Sequence, residues 1–129
     1  MRKVETKFGS GAYAQSVTVG SHQLLSDVDA SKGGADSGPS PHEYLAAALA
    51  SCTGMTLKMY AGRKSWELKN AIVTVNISRT DEVERFTREI TLVGDLDAEQ
   101  VARLLDIADK CPVHKALIGT IAIETQLVQ

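Results

Sequence analysis

Between Lys3 and Val28, short runs in which apolar and polar residues alternate, Val17-Thr18-Val19 and His22-Gln23-Leu24-Leu25, are punctuated by Gly9, Gly11 and Gly20. Alternation sends successive side chains to opposite faces of an extended chain, and glycine supplies the turns, so this stretch predicts two or three antiparallel strands. The run from Asp29 to Ser40 carries almost no apolar side chain and predicts a mobile surface loop. It is rich in glycine but lacks the Gly-Lys-Ser/Thr ending of a phosphate cradle. At Ser40-Pro41 the pattern becomes helical: serine caps the first free amides, proline at the first helical position gives up no needed donor, and Glu43 completes a capping box. The predicted helix runs to about Gly62. Its centre, Tyr44 to Met55, is small and apolar on nearly every face, which suits a helix covered all round. A domain of this size rarely surrounds a helix alone, so part of the cover is expected from a second subunit.

Ala71 to Ser78 alternates through Ile72, Val73, Val75 and Ile77, and Phe86 to Val93 through Phe86, Ile90 and Leu92, with Asp81-Glu82-Val83-Glu84 between them. This is the pattern of a hairpin with a charged tip. Asp97 then caps a helix whose apolar positions Val101, Leu104, Leu105 and Ala108 share one face. It ends near Lys110. Cys111-Pro112 starts a short helix that Gly119 stops, and Thr120 to Val128 predicts a last strand with Ile121, Ile123 and Leu127 on one side. The order of elements, with no repeat and no linker, describes one α+β domain over residues 1–129.

Composition narrows the partners. Fourteen Lys and Arg against sixteen Asp and Glu leave a formal charge of −2, with no dense basic run, which argues against a nucleic-acid partner. The N-terminus alternates in charge and has no apolar signal region, and the most apolar stretch, Leu45 to Met59, is too short for a membrane span, so a cytoplasmic protein is expected. A chain of 129 residues with 43% hydrophobic residues holds itself together without disulfides or metal. The two cysteines therefore need another explanation, and a reducing compartment leaves buried thiols, metal ligands or redox chemistry.

Cys52 lies inside an apolar helix, where burial raises a thiol pKa and leaves the sulfur inert as a small core residue. Cys111 stands at a helix start, where free amides favour a thiolate, with Lys110, Lys115 and His114 adding positive potential. Two thiols on different helices can serve a peroxidase: one attacks a peroxide oxygen and becomes a sulfenic acid, and the other condenses with it. A zinc site would instead recruit Cys52, Cys111 and His114 with His42 or His22; these show no compact Cys-x-x-Cys or His-x-x-x-His spacing, although Cys111 and His114, three apart, could share a helical face.

Gly38-Pro39-Ser40-Pro41-His42-Glu43-Tyr44-Leu45-Ala46-Ala47-Ala48-Leu49-Ala50-Ser51-Cys52, followed 59 residues later by Cys111-Pro112-Val113-His114-Lys115-Ala116-Leu117, resembles the OsmC/Ohr family of osmotically induced and organic-hydroperoxide-resistance proteins. The resemblance implies an OsmC-like α+β fold, with antiparallel sheets wrapping central helices in an intertwined homodimer. It also implies thiol-dependent reduction of hydroperoxides, organic ones above hydrogen peroxide, as part of an oxidative stress response. By the same resemblance Cys52 is the peroxidatic cysteine and Cys111 the resolving one, a dithiol is the reductant, and no cofactor or metal is needed.

Proteins of the Ohr branch place a glutamate ten residues before the peroxidatic cysteine and pair it with an N-terminal arginine. Here His42 holds that position, Glu43 follows it, and no arginine stands between Lys3 and Ser51. His42, Glu43 and His114 are the candidates for activating the thiolate or lining its pocket, with Lys32 and Arg63 as further cations. Tyr44, Met55, Met59 and Tyr60 are candidate pocket walls. Two other readings stand beside the peroxidase: a catalytically weak module binding a small apolar ligand, and a Cys/His metal site.

Overall fold

The computed structural model describes residues Met1–Gln129, which divide into two compact units, Met1–Leu45 and Ala46–Gln129. In the first, β1 (Val4–Phe8), β2 (Gln15–Val19) and β3 (His22–Ser26) form an antiparallel meander in the order β1-β2-β3, with Val4 opposite Val19 and Val19 opposite His22. The loop that follows holds no core element, but it is tied down. Asp27, only 3% exposed, accepts hydrogen bonds from the amides of Val28 (2.7 Å), Ala35 (3.3 Å) and Ser37 (3.1 Å) and from the Ser37 hydroxyl (2.7 Å). The loop opens with a 3-10 turn at Ala30–Lys32 and folds back so closely that a Cβ on Gly34 would sit 2.1 Å from the Val28 carbonyl oxygen. Only glycine fits there.

Helix α1 (Pro41–Lys64) begins with the predicted capping box: the Ser40 amide donates to Glu43 Oε1 at 2.8 Å, and the Glu43 amide donates to Ser40 Oγ at 3.2 Å. It runs two residues past Gly62. Ser65 takes the left-handed conformation (φ 57), with its amide donating to Gly62 O and the Trp66 amide donating to Ala61 O. That pair of bonds is a Schellman cap with serine where glycine is usual.

In the second unit, β4 (Glu67–Thr80) and β5 (Val83–Asp95) form the predicted hairpin, longer at both ends. Asp81 and Glu82 both have positive φ (53 and 61), as a two-residue type I′ turn requires. The half-buried face carries Ala71, Val73, Val75 and Ile77 from β4, opposite Leu92, Ile90, Arg88 and Phe86 from β5. Ile72, read as part of the apolar face, is 52% exposed because strict alternation turns it outward.

Helix α2 (Ala98–Ala108) starts at a full capping box between Asp97 and Gln100, and α3 (Pro112–Ile118) follows Cys111. The core joins Leu57 and Ala61 of α1 to Leu104, Ile107 and Ala108 of α2, with Trp66, Leu68, Ile90 and Leu92 packed around them. Leu105, expected inside, is half exposed, and Ile107 takes the inner place. The buried residues of α1 recur at every fourth position, Leu49, Thr53, Leu57 and Ala61, so one stripe is covered while Met55 and Met59 lie open. The all-round cover expected of this helix is therefore absent within one chain.

The last expected strand does not form. Residues 120–129 have no regular structure, and Ile121, Ile123 and Leu127 are 61%, 86% and 85% exposed. An extended segment becomes a strand only when its amides find a ladder, and this chain supplies none for it.

Two outcomes are expected. Ser65→Gly should raise stability by up to about 1 kcal/mol in denaturant unfolding, by relieving a left-handed non-glycine residue. Hydrogen bonds, led by the Ser37 hydroxyl, hold the Asp27 pKa down at about 2. A depressed pKa stabilises the fold above the unfolded value near 4 and loses that contribution as pH falls through about 2. Asp27→Ala should thus flatten the stability loss in that window and speed hydrogen exchange at the Ala35 and Ser37 amides.

Candidate redox site

Cys52 and Cys111 are brought together. Cys52 follows from the α1 stripe, since it precedes the buried Thr53 and lies at the stripe's edge, half-buried. Cys111 follows from the link between α2 and α3. Its amide donates to Ala108 O at 3.5 Å, and Pro112 opens the next helix. As the N-cap of α3, Cys111 uses its sulfur as a serine oxygen would be used, accepting the His114 amide at 3.3 Å, and it is fully buried.

Both cysteines are free thiols, and the two side chains lie near enough for each to act on the ionisation of the other. The Val113 amide faces both, the Thr56 hydroxyl reaches Cys52 and the Thr53 hydroxyl reaches Cys111. Burial pushes the Cys52 thiol up, aided by the hydrogen bond and charge of Cys111, against Val113 and Thr56. Burial also acts upward on Cys111, but hydrogen bonds from Cys52, His114, Val113 and Thr53 outweigh it and bring this thiol below the ordinary value. These surroundings favour a thiolate on Cys111 over one on Cys52.

Arg88 is a cation joined to this site through Thr53 and the Ala108 carbonyl. Its Nη1 donates to Thr53 Oγ1 (3.0 Å) and Ala108 O (3.3 Å), and its Nη2 to Asp109 Oδ1 (2.7 Å), with 13% of the side chain exposed. Sequence reasoning missed it, although a signal was there. Arg88 interrupts the apolar face Phe86, Ile90, Leu92 in strict alternation, and an arginine on an inward position must have a partner.

The other candidates fall differently. His114 is beside Cys111 through its backbone amide, while its ring Nδ1 stands 3.9 Å from Asp109 Oδ1. His42 and Glu43 occupy the first turn of α1, and ten residues of unbroken helix span about 15 Å, so neither reaches Cys52 along it. Glu43 is engaged with Ser40, whose amide and hydroxyl hold its carboxyl below the usual range. Lys32 belongs to the turn after β3, and Arg63 is exposed in the last turn of α1. Tyr60 serves the core side, edge-on to Trp66 with its hydroxyl accepting from Arg103 at 2.9 Å, and the Tyr44 hydroxyl donates to Leu25 O. No three His, Cys, Asp or Glu side chains are gathered to hold a metal ion, so the metal reading has no donor set. No helix is long and apolar enough to cross a membrane.

Comparison with known proteins agrees with this fold. A family model described as OsmC-like protein matches residues 33–126. Among solved structures, an OsmC-like protein from Mycoplasma pneumoniae superposes with a TM-score of 0.79 at 16% identity, over 92% of this chain and 88% of that one. An organic hydroperoxide resistance protein OsmC from Legionella pneumophila gives 0.65 at 21% identity, over 92% and 90%. The organic hydroperoxide resistance protein OhrB of Bacillus subtilis gives 0.60 at 26% identity, over 92% and 91%. No match was found among curated proteins. The α+β class with antiparallel sheets and helices, read from the alternation and capping signals, is the OsmC-like fold. With most of its length matched by the family model, the chain belongs to the OsmC-like protein family.

Proposed function

We propose that the protein is a cysteine-based hydroperoxide reductase acting on organic hydroperoxides, and more weakly on hydrogen peroxide. The observation that carries this reading is the juxtaposition of a half-buried Cys52 and a fully buried Cys111, each acting on the ionisation of the other. The more accessible sulfur is the one a substrate meets, and the hidden one is protected from direct oxidation. Relatives bearing organic hydroperoxide resistance in their names support the substrate class.

In this mechanism Cys111, as thiolate, takes the proton of Cys52 as peroxide arrives. The Cys52 sulfur attacks the terminal peroxide oxygen, the O–O bond breaks, and the leaving alkoxide takes the proton back from Cys111 to depart as an alcohol. Cys52 is left as a sulfenic acid. The Cys111 thiolate then attacks the Cys52 sulfur, the S–O bond breaks, and hydroxide leaves and is protonated by solvent to water. One peroxide is reduced by two electrons and the dithiol becomes a disulfide. An external dithiol restores both thiols by exchange, which places the cycle in a reducing compartment, the cytoplasm.

The working form in this reading is a homodimer. Met55 and Met59 of α1 are 60% and 59% exposed, and the unpaired 120–129 segment exposes Ile121, Ile123 and Leu127. A second copy would cover these surfaces and supply the missing ladder.

Cys52→Ser should lower peroxide turnover to the background rate, measured by peroxide consumption with a dithiol reductant; undiminished turnover would overturn the assignment. Cys111→Ser should react only once, about 10²–10⁴-fold more slowly for want of its base, and dimedone should trap the sulfenic acid on Cys52. Sedimentation should show twice the chain mass, and Met55→Glu with Met59→Glu should shift the protein toward monomer.

A further inference from the structure

Arg88 occupies a position that strand alternation assigns to an apolar side chain, opposite Val75, and both bonds of its Nη1 lead toward Cys111. Nη1 binds the oxygen of Thr53, which is fully buried, and also Ala108 O, the carbonyl that receives the Cys111 amide. The guanidinium therefore holds both the hydroxyl facing the Cys111 sulfur and the backbone that sets the position of that sulfur.

The Thr53 hydroxyl has one proton and two lone pairs. With Arg88 donating to its oxygen, the proton goes either to Leu49 O, 2.7 Å away, or to the sulfur of Cys111. Leu49 O lies four residues before Thr53 in α1 and keeps its helical bond when the hydroxyl turns away. Turning costs little, and a thiolate on Cys111 gains a charge-assisted bond from a hydroxyl that a guanidinium polarises. Burial of all three groups strengthens the effect, because little water screens it.

We propose that Arg88 is a positioning residue for the thiol pair, acting through Thr53 and the Ala108 carbonyl to hold the negative charge on Cys111. This rests on the reading of Cys52 and Cys111 as a reactive dithiol, and not on the identity of the oxidant. The charged and titratable groups around the pair come from three sides. Arg88 enters from β5. Asp109 and Lys110 come from the link after α2, and His114 and Lys115 from α3. Next to the sulfurs, α1 presents only Cys52 itself and the neutral Thr53 and Thr56. Asp109 opposes the effect, since its carboxylate pairs with Arg88 at 2.7 Å while 63% of its side chain stays exposed.

The two charges predict shifts of opposite sign. Thiolate absorbance at 240 nm, followed against pH in the reduced full-length protein, reads the first ionisation without requiring access to the buried sulfur. Arg88→Gln should raise its midpoint by about one pH unit, tenfold in the ionisation constant, and Arg88→Lys should recover part of that. Asp109→Asn should lower the midpoint. An unchanged midpoint in a folded Arg88→Gln protein overturns the proposal. Where circular dichroism shows that this variant does not fold, Asp109→Asn decides, and a midpoint that stays or rises overturns it. Thiols that titrate with these shifts yet ignore cumene hydroperoxide would defeat the peroxidase reading and leave the role of Arg88 standing.

Discussion

The four-residue stripe of α1, Leu49, Thr53, Leu57 and Ala61, is the constraint on which the site depends. Leu57 and Ala61 bury against Leu104, Ile107 and Ala108 of α2, and this contact fixes where α2 ends. Where α2 ends, Cys111 begins the next turn, with its amide on Ala108 O. Thr53, one place along from Cys52 and one turn before Leu57, is thereby carried to the sulfur of Cys111. Apolar packing, worth a few kcal/mol for each fully buried leucine, thus sets the register of a polar contact that could not hold the helices together alone.

Within that frame the thiol pair is asymmetric for reasons that can be named. Both sulfurs are desolvated, which disfavours charge on either. Cys111 overcomes this because it sits at a helix start and collects donors from His114, Val113, Thr53 and Cys52, whereas Cys52 lies inside a helix whose own amides are already bonded. Exposure runs the other way, with Cys52 the more accessible. Charge on one sulfur and access on the other suit a division of labour in which the hidden thiolate deprotonates the exposed thiol.

Much of this was legible in the chain. The capping box at Ser40/Glu43, the cap at Asp97, the hairpin and the helix start at Cys111-Pro112 are local signals, and each appears where its residues place it. The misses were tertiary in origin. Gly62 does not end α1 because Ser65, directly after the last helical residue Lys64, accepts the left-handed conformation. Ile107 displaces Leu105 from the core because orientation against α1, not periodicity alone, selects among neighbouring apolar positions. Residues 120–129 alternate like a strand but lack a partner within the chain. Arg88 was legible only as an interruption of the apolar alternation on β5, and its partners Thr53 and Asp109 lie 35 and 21 residues away in sequence.

The central claim is that Cys52 and Cys111 act as one dithiol, and a titration of the reduced protein with cumene hydroperoxide, followed by free-thiol count and intact mass, tests it most directly. The account predicts that about one equivalent removes both thiols and lowers the mass by two hydrogens, with no added oxygen. Thiols left intact after many equivalents, or oxygen added to one sulfur without loss of the other, would contradict it.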